Sequence, residues 1–138
     1  MLTIEHLESL DEEFSEIIGV EFNEFAAKNG VACDYMPFTF VAKENNEVIG
    51  IITGHSYYRE VHISDLIVYE KYRCKRIGSK LIETVENHYK NTGLENINLS
   101  TYHFQAPDFY KKCGFQVEFI RENKKNPKLN KYFFVKYF

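Results

Sequence analysis

The chain has 138 residues, of which 44% are hydrophobic and 27% charged, a balance that excludes disorder. A chain of this length buries roughly 68% of its unfolded surface, enough for one full hydrophobic core, and residues 1–138 are expected to form a single domain. Seventeen basic against twenty acidic side chains leave a net charge of −3, so the positive footprint of a nucleic-acid binder is missing and no such partner is expected.

Met1–Phe14 carries five carboxylates and no Lys or Arg, the reverse of a signal or transit peptide. From Asp11 to Lys28, Phe14, Ile17, Ile18, Phe22, Phe25 and Ala26 recur at three- and four-residue steps, which predicts an amphipathic helix stopped by Asn29-Gly30. Phe38–Lys43 and Val48–Tyr57 read as strands joined by the turn Glu44-Asn45-Asn46-Glu47, and His62–Tyr69 as a third strand. The polar loop Glu70–Arg76 leads into a second helix, from Ile77 to about Asn91, that buries Ile77, Leu81, Ile82, Val85 and Tyr89. Ile97–Thr101 is a short strand, and Pro107 suits the first turn of a helix over Gln105–Lys112 that Gly114 caps. Phe115–Arg121 and Tyr132–Tyr137 close the chain as strands, and the apolar Tyr132-Phe133-Phe134-Val135 is a candidate for pairing across a homodimer. The order α-β-β-β-α-β-α-β-β predicts an α/β (α+β) sandwich around one mixed sheet.

No apolar run is long enough to span a bilayer, so no membrane partner is expected. Cys33, Cys74 and Cys113 are odd in number, widely spaced and free of any C-x-x-C pair, and read as reduced thiols of a cytoplasmic protein. The five His residues form no H-x-x-x-H or H-E-x-x-H pair, and no metal is expected.

The stretch Val68–Ile82 carries the most chemistry. A strand feeds a basic loop, and the loop feeds a helix whose first N–H groups lack internal partners and sit at the positive end of its dipole. Arg73, Lys75 and Arg76 add charge there, and Gly78 lets a phosphate approach the backbone. The plainer alternative is a solvated surface loop. Walker A fails, because Gly78-Ser79-Lys80 has the wrong order and no upstream Gly, and G-x-G-x-x-G is absent.

Arg73-Cys74-Lys75-Arg76-Ile77-Gly78 resembles the pyrophosphate motif R/Q-x-x-G-x-G/A of the GNAT family of N-acetyltransferases. Ala106-Pro107-Asp108-Phe109-Tyr110-Lys111-Lys112-Cys113-Gly114-Phe115 resembles that family's second landmark, A-x-x-x-Y-x-K-x-G-F. The element order matches too, so the resemblance covers nearly the whole chain. Two departures stand out: Arg76 replaces the first motif glycine, and His103 stands where many members carry Asn.

The resemblance implies a three-layer sandwich whose sheet splays two parallel strands, with helices on both faces. It also implies acetyl-CoA as cosubstrate and direct acetyl transfer, in a ternary complex, to a primary amine of a small molecule or peptide. The pantetheine would lie along Leu66-Ile67-Val68, with the N–H of Val68 or a neighbour stabilising the oxyanion. Arg73, Cys74, Lys75, Arg76, Ile77, Gly78 and Ser79 would hold the pyrophosphate, His103 would join the coenzyme side, and Tyr110 would be the general acid. An amine with a pKa of ~10.4 is only about one part in ~2,500 neutral at pH 7, so a base helps. Glu60 stands where some relatives carry theirs, with Asp65 and His62 as rivals. Strand alternation puts Glu60 and His62 on one face and Asp65 on the other, unless a bulge intervenes. Core packing is the plainer reading for Tyr110 and for the Leu66 and Val68 side chains. Arg76 keeps open an alternative, a catalytically silent acyl-CoA-binding or protein-interaction module. Position 78 is expected to accept Asp with little loss of stability, because a carboxylate suits the first turn of a helix.

Overall fold

Two asparagines set the first hairpin. Asn45 and Asn46 both take left-handed backbone, φ 52° and 65°, the two-residue turn whose twist matches flanking antiparallel strands. The computed structural model describes residues 1–138 and gives helix α1 (Glu12–Lys28), strands β1 (Met36–Glu44), β2 (Glu47–Tyr57) and β3 (Glu60–Val68), and helix α2 (Ile77–Tyr89). Strand β4 (Asn96–Tyr102), helix α3 (Pro107–Lys112), and strands β5 (Gln116–Arg121) and β6 (Lys131–Tyr137) follow. The predicted order holds, with boundaries moved by a few residues. Gly114 takes φ 93° after α3, as its capping position requires.

The six strands form one mixed sheet in the order β1-β2-β3-β4-β6-β5. Strand β6 is therefore flanked on both sides, which corrects the expectation that it pairs across a dimer; the open edges belong to β1 and β5. One face of the sheet presents Ile52, Val61, Ile63, Ile97, Leu99 and Phe134 to α2 and α3. Helix α2 contributes Leu81, Ile82, Val85 and Tyr89, and Tyr110 and Phe115 complete a core of 12 buried residues. Each such side chain contributes about 1.5–3 kcal/mol by leaving water.

Helix α1 forms as its periodicity predicts, with Glu12 and Glu13 at its N-terminus and Lys28 at its C-terminus to suit the dipole. Of its apolar residues only Ala26 is buried. Ile18 and Phe22 face Tyr35, Tyr57 and Tyr58 across a cavity of about 500 Å³, and Tyr57 belongs to the sheet face opposite the core. No helix is long and apolar enough to cross a membrane.

Strands β3 and β4 pair in parallel over three residues only, Glu60↔Asn96, Val61↔Ile97 and His62↔Asn98. Beyond them β3 runs on to Val68 and β4 to Tyr102 with no shared ladder, and the strands splay. Within β3, Ser64 is an extra residue, because Thr53 pairs with Asp65 while Gly54 pairs with Ile63. That bulge reverses the alternation after Ile63. Gly54 sits opposite it, where an added Cβ would overlap the His62 carbonyl oxygen and lie 2.7 Å from the Phe38 ring. Gly54→Ala is accordingly expected to lower unfolding free energy by at least ~2 kcal/mol in urea titration. A variant as stable as the parent would contradict this β2–β3 register.

Candidate active site

The splay leaves one edge of β3 open. The Tyr69 N–H donates to Ile49 O on β2 at 3.0 Å, so strand alternation turns the N–H groups of Val68 and Leu66 the other way, into the gap. The Arg73 Nε–H donates to the Val68 carbonyl at 3.0 Å and ties the following loop to the strand end. The Val68 N–H is left facing a cleft of about 550 Å³ whose walls include Leu66, Val68, Arg76, Gly78, Phe109 and Tyr110.

The loop closing this cleft uses backbone that glycine would adopt freely. Cys74 and Arg76 both take φ 63°, and Arg76 is the residue immediately before α2. A non-glycine residue there costs about 1–2 kcal/mol. Arg76 therefore keeps the conformation that a motif glycine would supply and brings a guanidinium to the cleft wall. The first intrahelical bond of α2 runs from the Lys80 N–H to the Arg76 carbonyl at 3.0 Å, and no side chain caps the helix. The N–H groups of Ile77, Gly78 and Ser79 are thus turned out of the helix at its positive end.

Gly78 also makes room for a neighbour. A Cβ there would meet the Phe109 ring at 3.0 Å, so α3 packs directly over the start of α2. The expectation that Asp is accepted at position 78 with little loss of stability therefore turns on Phe109, whose half-buried ring would have to give by a few tenths of an ångström. Phe109 is a wall residue that sequence reasoning missed, although it lies inside the second motif beside Tyr110.

Tyr110 is 8% exposed and packs among Phe109, Phe115 and Phe134. Burial, reinforced by Cys113, pushes its phenol up to about 12, so it stays a hydrogen donor at neutral pH. Burial likewise raises the Cys113 thiol against the opposing hydrogen bond from Ser79, which keeps it protonated and unreactive.

Leu66, Val68, Arg73, Cys74, Arg76, Ile77, Gly78, Ser79 and Tyr110 all line this cleft. Three expected members stand apart. Ile67 projects from the other face and is 53% exposed. The Lys75 ammonium lies 5.6 Å from the centre of the Tyr72 ring. His103 turns to the Tyr132 hydroxyl, with Nδ1 at 3.2 Å, and does not join the cleft walls.

The three candidate bases lie on the opposite sheet face. The bulge at Ser64 brings Asp65 to the face of Glu60 and His62, the exception to alternation that a bulge allows. Asp65 accepts a hydrogen bond from Thr53 Oγ1 at 3.2 Å. Glu60 and His62 instead line a second cavity, of about 280 Å³, that also reaches Asn98, Ser100, Glu118 and Phe133. His55 lies beside His62 with the rings tilted and their centres 5.4 Å apart; burial first, then His62, lower its pKa, and Glu60 opposes them.

The Acetyltransferase (GNAT) family model matches residues 4–115, and the chain belongs to that family. Blasticidin-S acetyltransferase of Streptomyces morookaense is 30% identical over 80 residues, covering 57% of this chain and 59% of that protein. Glucosamine 6-phosphate N-acetyltransferase of Arabidopsis thaliana is 32% identical over 63 residues, 46% of this chain and 42% of that protein. The chain thus spans about half the length of these curated relatives. An acetyltransferase crystal structure from Bacillus cereus is 27% identical with a TM-score of 0.77, covering 97% of this chain and 98% of that one. A GNAT family acetyltransferase from Elizabethkingia anophelis, solved with acetyl-CoA bound, shares the fold at 19% identity and a TM-score of 0.63, over 92% of this chain and 85% of that one.

His55 gives a signed pH dependence. Its folded pKa lies below the ordinary imidazole value of 6.5, so as pH falls through that value the unfolded chain takes up a proton that the folded chain resists. Stability is expected to decline below pH 6.5, and His55→Gln to remove part of that decline in urea titrations from neutral to acidic pH. An unchanged profile in the variant would contradict this.

Proposed function

We propose that this chain is an N-acetyltransferase that moves the acetyl group of acetyl-CoA directly to a primary amine. One observation carries the reading: the gap-facing N–H groups of β3, the uncapped start of α2 and the Tyr110 side chain converge on one cleft. The residues fit the cosubstrate. Ile77, Gly78 and Ser79 turn their N–H groups to an anion, Arg76 adds a guanidinium, and Leu66 and Val68 offer a strand edge to an extended amide chain.

The Val68 N–H is fixed before reaction, so it stabilises developing oxygen charge without reorganising. Tyr110 donates a hydrogen bond to the departing sulfur. A phenol at about 12 does not fully protonate a thiolate whose thiol titrates near ~8.5, so its contribution is partial. The acceptor enters from the opposite face, where Glu60, His62 and Glu118 line the second cavity. The free thiols Cys33, Cys74 and Cys113 suit a reducing, cytoplasmic compartment.

Release of CoA thiol from acetyl-CoA tests the activity with an amine panel that includes blasticidin S, glucosamine 6-phosphate and a peptide N-terminus. Turnover of at least one amine is expected. Tight acetyl-CoA binding with no turnover of any amine would favour the silent module. Arg76→Glu is expected to leave circular dichroism unchanged and to raise the calorimetric Kd for acetyl-CoA about ten- to hundredfold, since one charge-assisted hydrogen bond is worth ~1.5–3 kcal/mol. Tyr110→Phe is expected to lower kcat about tenfold or less while leaving that Kd unchanged. Wild-type affinity in Arg76→Glu would remove the phosphate site from this loop.

A further inference from the structure

His62 stands at the last of the three parallel pairs, opposite Asn98, where β3 and β4 part. Its Nδ1 lies 2.7 Å from Asn98 Oδ1, and Asn98 donates its Nδ2–H to Asn96 Oδ1 at 3.0 Å. In this arrangement the Asn98 oxygen faces His62, and an amide oxygen only accepts, so the matching neutral imidazole carries its hydrogen on Nδ1 and leaves the Nε2 lone pair free. His62, Asn96 and Asn98 all line the 280 Å³ cavity on the face opposite the cleft.

We propose that His62 is the catalytic base that deprotonates the acceptor amine, and that Asn98, backed by Asn96, is the positioning residue that fixes its tautomer. The inference rests on the N-acetyltransferase reading and assigns the proton step within it. Glu60 lines the same cavity but lies two residues farther from the fork, about 7 Å along a strand. Asp65 is engaged with Thr53 and lies outside the cavity wall. The carboxylates of Glu60 and Glu118 suit a cationic ammonium, and no Lys or Arg lines the cavity.

The step balances. Nε2 takes one proton from the ammonium and passes it to solvent, and the freed lone pair on nitrogen attacks the thioester carbonyl. As the N–C bond forms and the C–S bond breaks, the nitrogen loses a second proton to the departing sulfur. The products are an amide, the CoA thiol and one released proton.

The titratable groups on this face are His55, Glu60 and Asp65 on the β2–β3 hairpin, Glu118 on β5 and Tyr137 on β6, with Tyr35 and Tyr57 packed against His55. Their effects separate from that of His62 through the dependence on the acceptor. With the panel amine that turns over fastest, His62→Gln is expected to lower kcat about 10²–10⁴-fold at neutral pH while the Kd for acetyl-CoA holds. That deficit shrinks as pH approaches the amine's own pKa, where the amine needs no base. Asn98→Leu is expected to lose kcat, and Asn98→Asp, which offers the same Nδ1–H a carboxylate, to recover most of that loss on the high-pH plateau while moving the acid limb of the rate profile to higher pH. Glu60→Gln and Glu118→Gln raise KM for the amine and keep the acid limb. Nitrogen-15 NMR of the ligand-free protein is expected to show the Nδ1–H tautomer at His62, lost in Asn98→Leu.

A His62→Gln deficit that stays constant with pH, a wild-type rate in that variant, or an Nε2–H tautomer would overturn the assignment while leaving the N-acetyltransferase reading in place. Acetyl-CoA binding without turnover of any panel amine by the parent protein would overturn that reading, and this inference with it.

Discussion

Two parallel strands that share three residue pairs and then separate leave backbone groups that nothing in the sheet satisfies. Unpaired N–H and C=O groups are costly when buried, so a stable splay must open to solvent, recruit side chains, or hold a ligand. This chain uses the first two, and the third is the role proposed for the coenzyme. The Arg73 guanidinium takes the Val68 carbonyl, while the Val68 and Leu66 N–H groups face the cleft. The sheet must open for the cleft to exist, and the loop after β3 depends on where that strand ends. The proposed acceptor and coenzyme sides lie on opposite faces of one sheet, beside the strand pair that the opening separates.

The loop illustrates how a motif can change its residue and keep its geometry. A glycine is commonly valued in such loops because φ near +60° carries no steric penalty for it. Here Cys74 and Arg76 hold that conformation instead. The strain is local and small beside a core of 12 buried residues, which the rest of the fold offsets. What the substitution adds is a positive charge on the cleft wall, so the change reads as an exchange of backbone ease for electrostatic attraction.

Much of this architecture was legible in the chain. The spacing of Leu81, Ile82, Val85 and Tyr89 gave α2, Asn45-Asn46 gave the first turn, and Pro107 with Gly114 bracketed α3, because these signals act within a few residues. The side of the cleft made by the two motifs was legible for the same reason. The parts that were not legible depend on distant partners. Ser64 carries no compositional mark of a bulge, yet it decides which face Asp65 joins. His62 and Asn98 are 36 residues apart and meet only because their strands pair at the fork. Phe109 matters through its contact with Gly78, 31 positions away, and His103 leaves the expected site because Tyr132 engages it. Helix α1 shows the opposite limit: its periodicity is plain, but periodicity does not say how much of the apolar stripe finds a partner.

The central claim is that the opening between β3 and β4, closed by the first turn of α2, is the coenzyme site. Backbone amide NMR of the labelled protein titrated with acetyl-CoA addresses it residue by residue. The account predicts the largest shifts and new exchange protection at Leu66, Val68 and residues 74–79, with smaller shifts at Phe109 and Tyr110. Perturbation concentrated instead around Ile18, Phe22, Tyr35 and Tyr57, with the amides of Val68 and Gly78 unmoved, would contradict it.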